Sequence, residues 1–260
     1  MATQKYKVEK VTLDKIRKLF AYRRITDLLK ASGLDKDKEF VAEIINVQYQ
    51  IYMLDGYLES QWELSKKETG LLWEGIVVSL QSMGYKDKEI DSMTREIADY
   101  EKIEKNCRKD KWPTSVAMKD FYQTKSCDVR LIRHLIYLKH PELSAVWKEK
   151  AWQYYDIITE INDDVADLQE DVTTFNGNRF LISILRKGTD KTFHKYKEYL
   201  GKISNRANEY FAEKAERGNN KQLAAWTMDR SLQTFKLLDT QIKSKVLDKL
   251  SGSLLLAQMK

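Results

Sequence analysis

Apolar residues recur at every third or fourth position along most of the chain, the spacing of amphipathic helices. Leu13, Ile16, Leu19, Phe20, Ile25, Leu28 and Leu29 predict a first helix over Thr12 to Ala31, closed by Gly33. Phe40, Ile44, Val47, Ile51, Leu54 and Leu58 predict a second from Asp35 to about Lys67. The nearly continuous apolar run from Leu71 to Met83 predicts a buried third helix ending at Gly84. Asp87 to Lys109 reads as a charged amphipathic surface helix. Trp112-Pro113-Thr114 interrupts, and Thr114 is placed to cap a short helix reaching Tyr122. Asp128 to Lys139 follows, stopped by His140-Pro141. One long helix is predicted from Glu142 to about Phe175-Asn176-Gly177, then a short one from Asn178 to Arg186 before Gly188. Thr189 to Arg217 and Asn220 to Leu250 complete the set.

Composition narrows this to an all-α fold. Hydrophobic residues make up 42% of 260 positions, while Gly (10) and Pro (2) are too few for a turn-rich β protein. No repeat or linker divides the chain, so a single antiparallel helical domain over residues 1–260 is expected, with 1–10 and 251–260 as tails. The net charge of +6 comes from basic residues mixed with 39 acidic ones, not from a basic stripe, so no nucleic-acid partner is expected. No apolar run reaches the roughly 18 residues of a transmembrane helix, and Met1 to Lys10 lacks the apolar segment of a signal peptide. Cys107 and Cys127 then read as free thiols in a reducing cytoplasm.

Candidate chemistry concentrates in Ile161-Asn162-Asp163-Asp164-Val165-Ala166-Asp167-Leu168-Gln169-Glu170-Asp171. Asp163, Asp167 and Asp171 fall on one helix face with Glu170 beside them, while Asp164 points off that face and is expected to be solvated. Like charges at this spacing weaken a helix, and a divalent cation would offset the cost. A second acidic set, Asp55, Glu59 and Glu63, shares the second helix with Tyr52, Met53, Tyr57 and Trp62. Gly56 within that helix costs about 1 kcal/mol relative to Ala, for packing or for room beside Asp55.

The two runs together resemble the class I isoprenoid synthases, and locally the squalene and phytoene synthase branch. The D-x-x-E-D pattern of that branch is matched by Asp167-Leu168-Gln169-Glu170-Asp171, and its following Gly-Arg-aliphatic segment by Gly177-Asn178-Arg179-Phe180-Leu181 with one residue inserted. Its D-x-x-x-D pattern is matched by Asp55-Gly56-Tyr57-Leu58-Glu59, with Glu in the last place. Asp163-Asp164-Val165-Ala166-Asp167 also fits the D-D-x-x-D of chain-elongating relatives, and Asn162, Asp163 and Glu170 fit part of a terpene-cyclase triad in which Ala166 replaces a hydroxyl residue.

The resemblance implies a helical bundle with a central cavity, a prenyl diphosphate substrate, and Mg²⁺, or Mn²⁺ in its place, held by Asp55, Glu59, Asp163, Asp167, Glu170 and Asp171. Asp55, Glu59, Asp167 and Asp171 would be the catalytic carboxylates. Arg179, Lys125, Arg130 and Arg133 would cradle the diphosphate, with Arg23, Arg24 and Lys187 as further cations. Tyr52, Tyr122, Trp152 and Tyr155 would line a dry pocket for the carbocation, joined by Tyr49, Phe121 and Phe180. Peripheral membrane contact and a homodimer are compatible with this reading. The alternative is a helical bundle of the same type that binds without catalysing.

Other metal chemistries lack their residues. No Glu stands three places before His134, His140 or His194, as a di-iron bundle requires, and the two cysteines make no zinc pattern. No phosphate loop or dinucleotide fingerprint occurs.

Overall fold

The structure is a computed structural model that describes residues 10–61, 63–107, 113–171, 177–213 and 220–243. Among them are thirteen α-helices, two short 3-10 turns and no strand, so the all-α expectation holds. They group into two compact units, one within Met1–Ala98 and Cys127–Pro141, the other within Asp99–Ser126 and Glu142–Lys260. No helix among the described residues is long and apolar enough to cross a membrane.

The first unit opens with α1 (Lys10–Tyr22) and α2 (Ile25–Ser32) where the apolar spacing predicts one helix. The break lies at Arg24, whose backbone is left-handed with φ 63°. It lets Phe20 and Ile25 both reach the core, at 4% and 0% exposure. Gly33 ends α2 with φ 74°, as its position predicts, and its N–H returns to the carbonyl of Lys30.

Asp37 caps α3 (Lys38–Ser60) by accepting the N–H of Phe40 at 3.0 Å. This helix ends seven residues before the predicted Lys67, so Glu63 lies outside it. Ser65 caps the next helix, α4 (Lys66–Ser82), by accepting from Glu68 N–H. Tyr57 ties the intervening turn: its hydroxyl donates to Glu68 at 2.7 Å and accepts from Ser65 N–H at 2.9 Å. The third helix is not buried all round. It buries Thr69, Ile76, Ser79 and Leu80 against α3, while Leu71 and Val78 stay exposed. Beyond it come α5 (Asp87–Cys107), whose residues divide between the units at Ala98, a 3-10 turn (Pro113–Ser115) and α6 (Met118–Lys125). The first unit is completed by α7 (Cys127–Lys139), packed on α2 and α3 through a strip that includes Val129, Ile132 and Ile136.

The second unit is built on α9 (Glu149–Ala166). The single helix predicted from Glu142 is three: α8 (Glu142–Val146), α9, and α10 (Leu168–Asp171). Its predicted end at Phe175-Asn176 lies outside the described residues, as do Lys109, Trp112, Arg217, Leu250 and both predicted tails except Lys10. After α11 (Arg179–Lys187) come α12 (Thr189–Glu213) and α13 (Asn220–Lys243), which pack on α9 and on each other. Ile157, Ile158, Ile161, Val165 and Leu168 meet Phe180, Phe193, Tyr196 and Leu200 in the core. Phe180 stands edge-to-face against both Phe193 and Tyr196, with ring centroids 5.1 and 4.8 Å away. Such pairs add about 0.5–1.5 kcal/mol each beyond area burial. Thr114 does not cap the short helix; α6 starts after Ala117, which offers no side-chain cap.

Candidate functional site

The acidic stretch is interrupted at Asp167, the residue between α9 and α10. The helical turn nevertheless persists. Asp167 N–H donates to the carbonyl of Asp163 at 2.9 Å, and Asp171 N–H to that of Asp167 at 2.8 Å. Asp163, Asp167 and Asp171 therefore still stack on successive turns, as the spacing predicts. Asp163 and Asp171 are half-buried, while Asp167 and Glu170 are exposed. Enough protein surrounds the Asp167 carboxyl that desolvation comes first in pushing it up to about 6. The charges of Asp163 and Asp171 follow, Lys125 works the other way, and Glu170 adds a smaller upward push.

Asp164 overturns its expectation. It is 1% exposed and is the polar hub of the second unit. One carboxylate oxygen pairs with Lys125 Nζ at 2.5 Å. The other accepts from Tyr122 Oη at 2.9 Å and from the backbone N–H groups of Arg179 and Phe180 at 2.9 and 3.3 Å. Those two amides open α11, so the carboxylate also meets the positive end of that helix. Tyr196 Oη lies 2.8 Å from Tyr122 Oη and extends the chain. Burial first, then the charge of Asp164, pushes Tyr196 up to about 12, and the same causes raise Tyr122. Burial opposes the charge on Lys125, but Asp164 and Glu160 outweigh it and hold the ammonium above its ordinary range. The spacing carried a signal for this: Asp164 stands three residues after Ile161 and four before Leu168, on the buried stripe.

Asn178 is the other residue the motif matching passed over. It is fully buried and caps α11 by accepting Leu181 N–H at 2.8 Å. Its Nδ2 donates to the carbonyl of Asp164 at 2.7 Å and to the carboxylate of Asp171 at 2.6 Å.

The expected diphosphate cradle is largely committed elsewhere. Arg179 is 2% exposed; its guanidinium donates to the carbonyls of Pro113 at 3.1 Å and Val116 at 2.7 Å. In the first unit Arg130 pairs with Glu96 at 2.6 Å, and Arg133 is buried on α7. Lys125 acts on the acidic face through its charge, which works against the upward shift of Asp167.

The expected pocket aromatics lie in packed cores or on a helix face. Tyr122 belongs to the Asp164 hub. Trp152 stacks on Trp226 and meets Trp147 and Tyr155 edge-on. Tyr155 is fully buried and takes the Arg230 guanidinium over its ring at 5.9 Å. Tyr52, half-buried in the first unit, accepts from Lys15 Nζ at 3.1 Å. Asp55 and Glu59 are half-buried on α3. A Cβ at Gly56 would meet nothing within 4 Å, so that glycine is not required by packing.

Asp163, Asp167, Glu170 and Asp171 offer only hard oxygen donors, the chemistry Mg²⁺ prefers. The fit is one of donor type: among the described residues no three His, Cys, Asp or Glu side chains are arranged to enclose a metal ion as they stand. In comparison with known proteins, the chain matches no protein-family model, no curated protein and no solved structure.

Proposed function

We propose that the chain acts as a class I isoprenoid synthase, ionising a prenyl diphosphate with release of pyrophosphate and cyclising or condensing the resulting carbocation. The observation that carries this reading is the stacking of Asp163, Asp167 and Asp171 on successive turns; desolvation first, and then the charges of Asp163 and Asp171, push Asp167 up to about 6. A fold keeps such a face at a cost to its own stability, and a bound cation offsets that cost. Asp163, Asp167, Glu170 and Asp171 would hold Mg²⁺ or Mn²⁺, which supplies charge stabilisation for the departing diphosphate. Lys125, whose charge reaches Asp167, adds a fixed positive charge, and its pairing with Asp164 orients it. The share of the reading that falls to Asp55 and Glu59 rests on the motif alone.

The second reading is a helical protein of the same kind that binds without turnover. It is favoured by one observation: Arg179, the cation the motif marks for the diphosphate, spends its guanidinium on two backbone carbonyls. The test has two stages. Thermal unfolding with Mg²⁺, pyrophosphate, or both should show a rise in Tm, largest with both. Incubation with prenyl diphosphates of increasing length and Mg²⁺, followed by mass spectrometry, should then show product and released pyrophosphate. A Tm rise without turnover selects the second reading, and no rise under any condition removes both.

A further inference from the structure

We infer that the corner between α11 and α12 is a docking surface for an anionic lipid bilayer, carried by Lys187, Lys191 and Lys195. The choice of a lipid partner rests on the prenyl diphosphate reading. Basic and acidic residues are mixed along most of the chain, but Arg186 to Lys195 holds four basic residues against the single Asp190. Lys187 ends α11, Gly188 turns the backbone with φ 82°, and α12 begins at Thr189. Lys191 and Lys195 lie one turn apart on α12, so their side chains leave the same face. Lys187 belongs with them, because its charge reaches Lys195. Burial first, then the charges of Lys187 and Arg179, hold Lys195 below the ordinary lysine range. All three lysines are exposed, and none forms an ion pair among the described residues. Asp190 is exposed in the first turn of α12, where it meets the positive end of the helix, and it pairs with none of them. Farther along α12 the lysines are matched: Lys197 pairs with Asp239 and Lys202 with Glu198. Exposed ammoniums on flexible stems do not enclose one small anion; they suit a surface that carries many negative charges. A nucleic acid is disfavoured, since Phe180 and Phe193 are buried and no exposed Phe, Tyr or Trp lies in α11 or in α12 up to Lys195 to stack on a base. A prenyl diphosphate is an amphiphile whose hydrocarbon chain partitions into a bilayer, so an enzyme acting on it meets its substrate there.

The experiment is co-sedimentation of the full-length protein with lipid vesicles, without substrate or metal, so that its outcome does not depend on turnover. Vesicles of mixed phosphatidylserine and phosphatidylcholine are compared with vesicles of phosphatidylcholine alone. The corner variant carries Lys187→Gln, Lys191→Gln and Lys195→Gln. A control variant carries Lys66→Gln, Lys67→Gln and Lys88→Gln, which removes the same charge from exposed positions in the first unit. Circular dichroism checks folding. The unaltered chain should bind the mixed vesicles and not phosphatidylcholine alone, and more weakly as NaCl rises. Each lysine should contribute about fivefold, so the corner variant should lose on the order of a hundredfold. The control should lose less than about fivefold, because its charges lie outside the docking surface. Arginine at the same three corner positions should keep the binding. Equal losses in the corner and control variants would assign the binding to net charge and overturn the inference, as would equal binding to phosphatidylcholine alone or no binding at all. A corner-dependent affinity for single-stranded DNA above that for the mixed vesicles would overturn the lipid assignment in favour of a nucleic acid. Turnover of a prenyl diphosphate without vesicle binding removes the docking surface and leaves the proposed function standing. Corner-dependent vesicle binding without turnover supports the surface and counts against the enzyme alone.

Discussion

Lys125 Nζ stands 2.5 Å from Asp164 Oδ1, with the Asp164 side chain wholly shielded and that of Lys125 still 21% exposed. The asymmetry sets what each contributes. Removing Asp164 would take a carboxylate acceptor from Lys125, from Tyr122 and from the backbone amides at the start of α11. Breaking a buried pair from one side costs about 3–5 kcal/mol. Asp164→Ala should lose that much in urea unfolding, whereas Asp163→Ala, one residue away and half-buried, should lose less than about 1 kcal/mol. Similar small losses in both variants would deny Asp164 its place as the hub.

Arg179 is expected to matter for the fold before any ligand. Its two carbonyl partners, on Pro113 and Val116, belong to the segment leading into α6. A guanidinium reaches both with its rigid fork, and an ammonium cannot. Arg179→Lys should therefore lose about 1.5–3 kcal/mol of stability. Its pyrophosphate affinity in the presence of Mg²⁺, measured below the melting transition, should change less than threefold. Unchanged stability with a large loss of affinity would return Arg179 to the diphosphate.

Local signals were readable wherever the chain itself supplies the partner. Gly33 and Gly188 stop their helices, Asn178 stands at the start of α11, and the bounds of α7 fall within one residue of expectation. The missed breaks at Arg24, after Ser60, at Trp147-Lys148 and at Asp167 contain no Pro or Gly, so local propensity is silent there and tertiary packing decides. The acidic face was legible as a face because successive turns stack by geometry alone. Asp164 was misread because its acceptor role depends on Tyr122, 42 residues away, and on Lys125, 39 away. The structural partners of Arg179 were out of reach for the same reason: its two carbonyl acceptors lie 66 and 63 residues earlier.

Gly177 opens the segment that leads into α11, and there an added methyl has little room. A Cβ would fall 2.3 Å from Glu104 Oε1 and 3.1 Å from its Cδ. Glu104 is 1% exposed and accepts from Tyr100 Oη at 2.7 Å, so its carboxylate cannot swing aside into water. Gly177→Ala should cost about 1–3 kcal/mol. Shortening the obstacle should remove the clash, so the Gly177→Ala, Glu104→Ala double variant should lose clearly less than the sum of the single losses. Additive losses in a full double-mutant cycle would show that the two sites do not meet.

Asp167 should destabilise the fold when ionised, and pH reveals it. Its folded-state value of about 6 lies above the ordinary 3.8, so between these limits the folded chain binds more protons than the unfolded one. Stability from this residue is then present at and below about pH 3.8 and is lost as pH rises through about 6. Because the residue is exposed and screened by solvent, the contribution is on the order of 1 kcal/mol or less. Asp167→Asn removes the repulsion with Asp163 and Asp171 at all pH values. At pH 7 it should therefore unfold at higher urea than the unaltered chain, with the gap closing as pH falls towards about 4. Mg²⁺ should separate the two proteins, raising the midpoint of the unaltered chain at pH 7 and leaving the variant nearly unmoved. A variant that is less stable at pH 7, or a gap that widens on acidification, would mean that the Asp167 carboxylate is paired in the fold and not crowded by its neighbours.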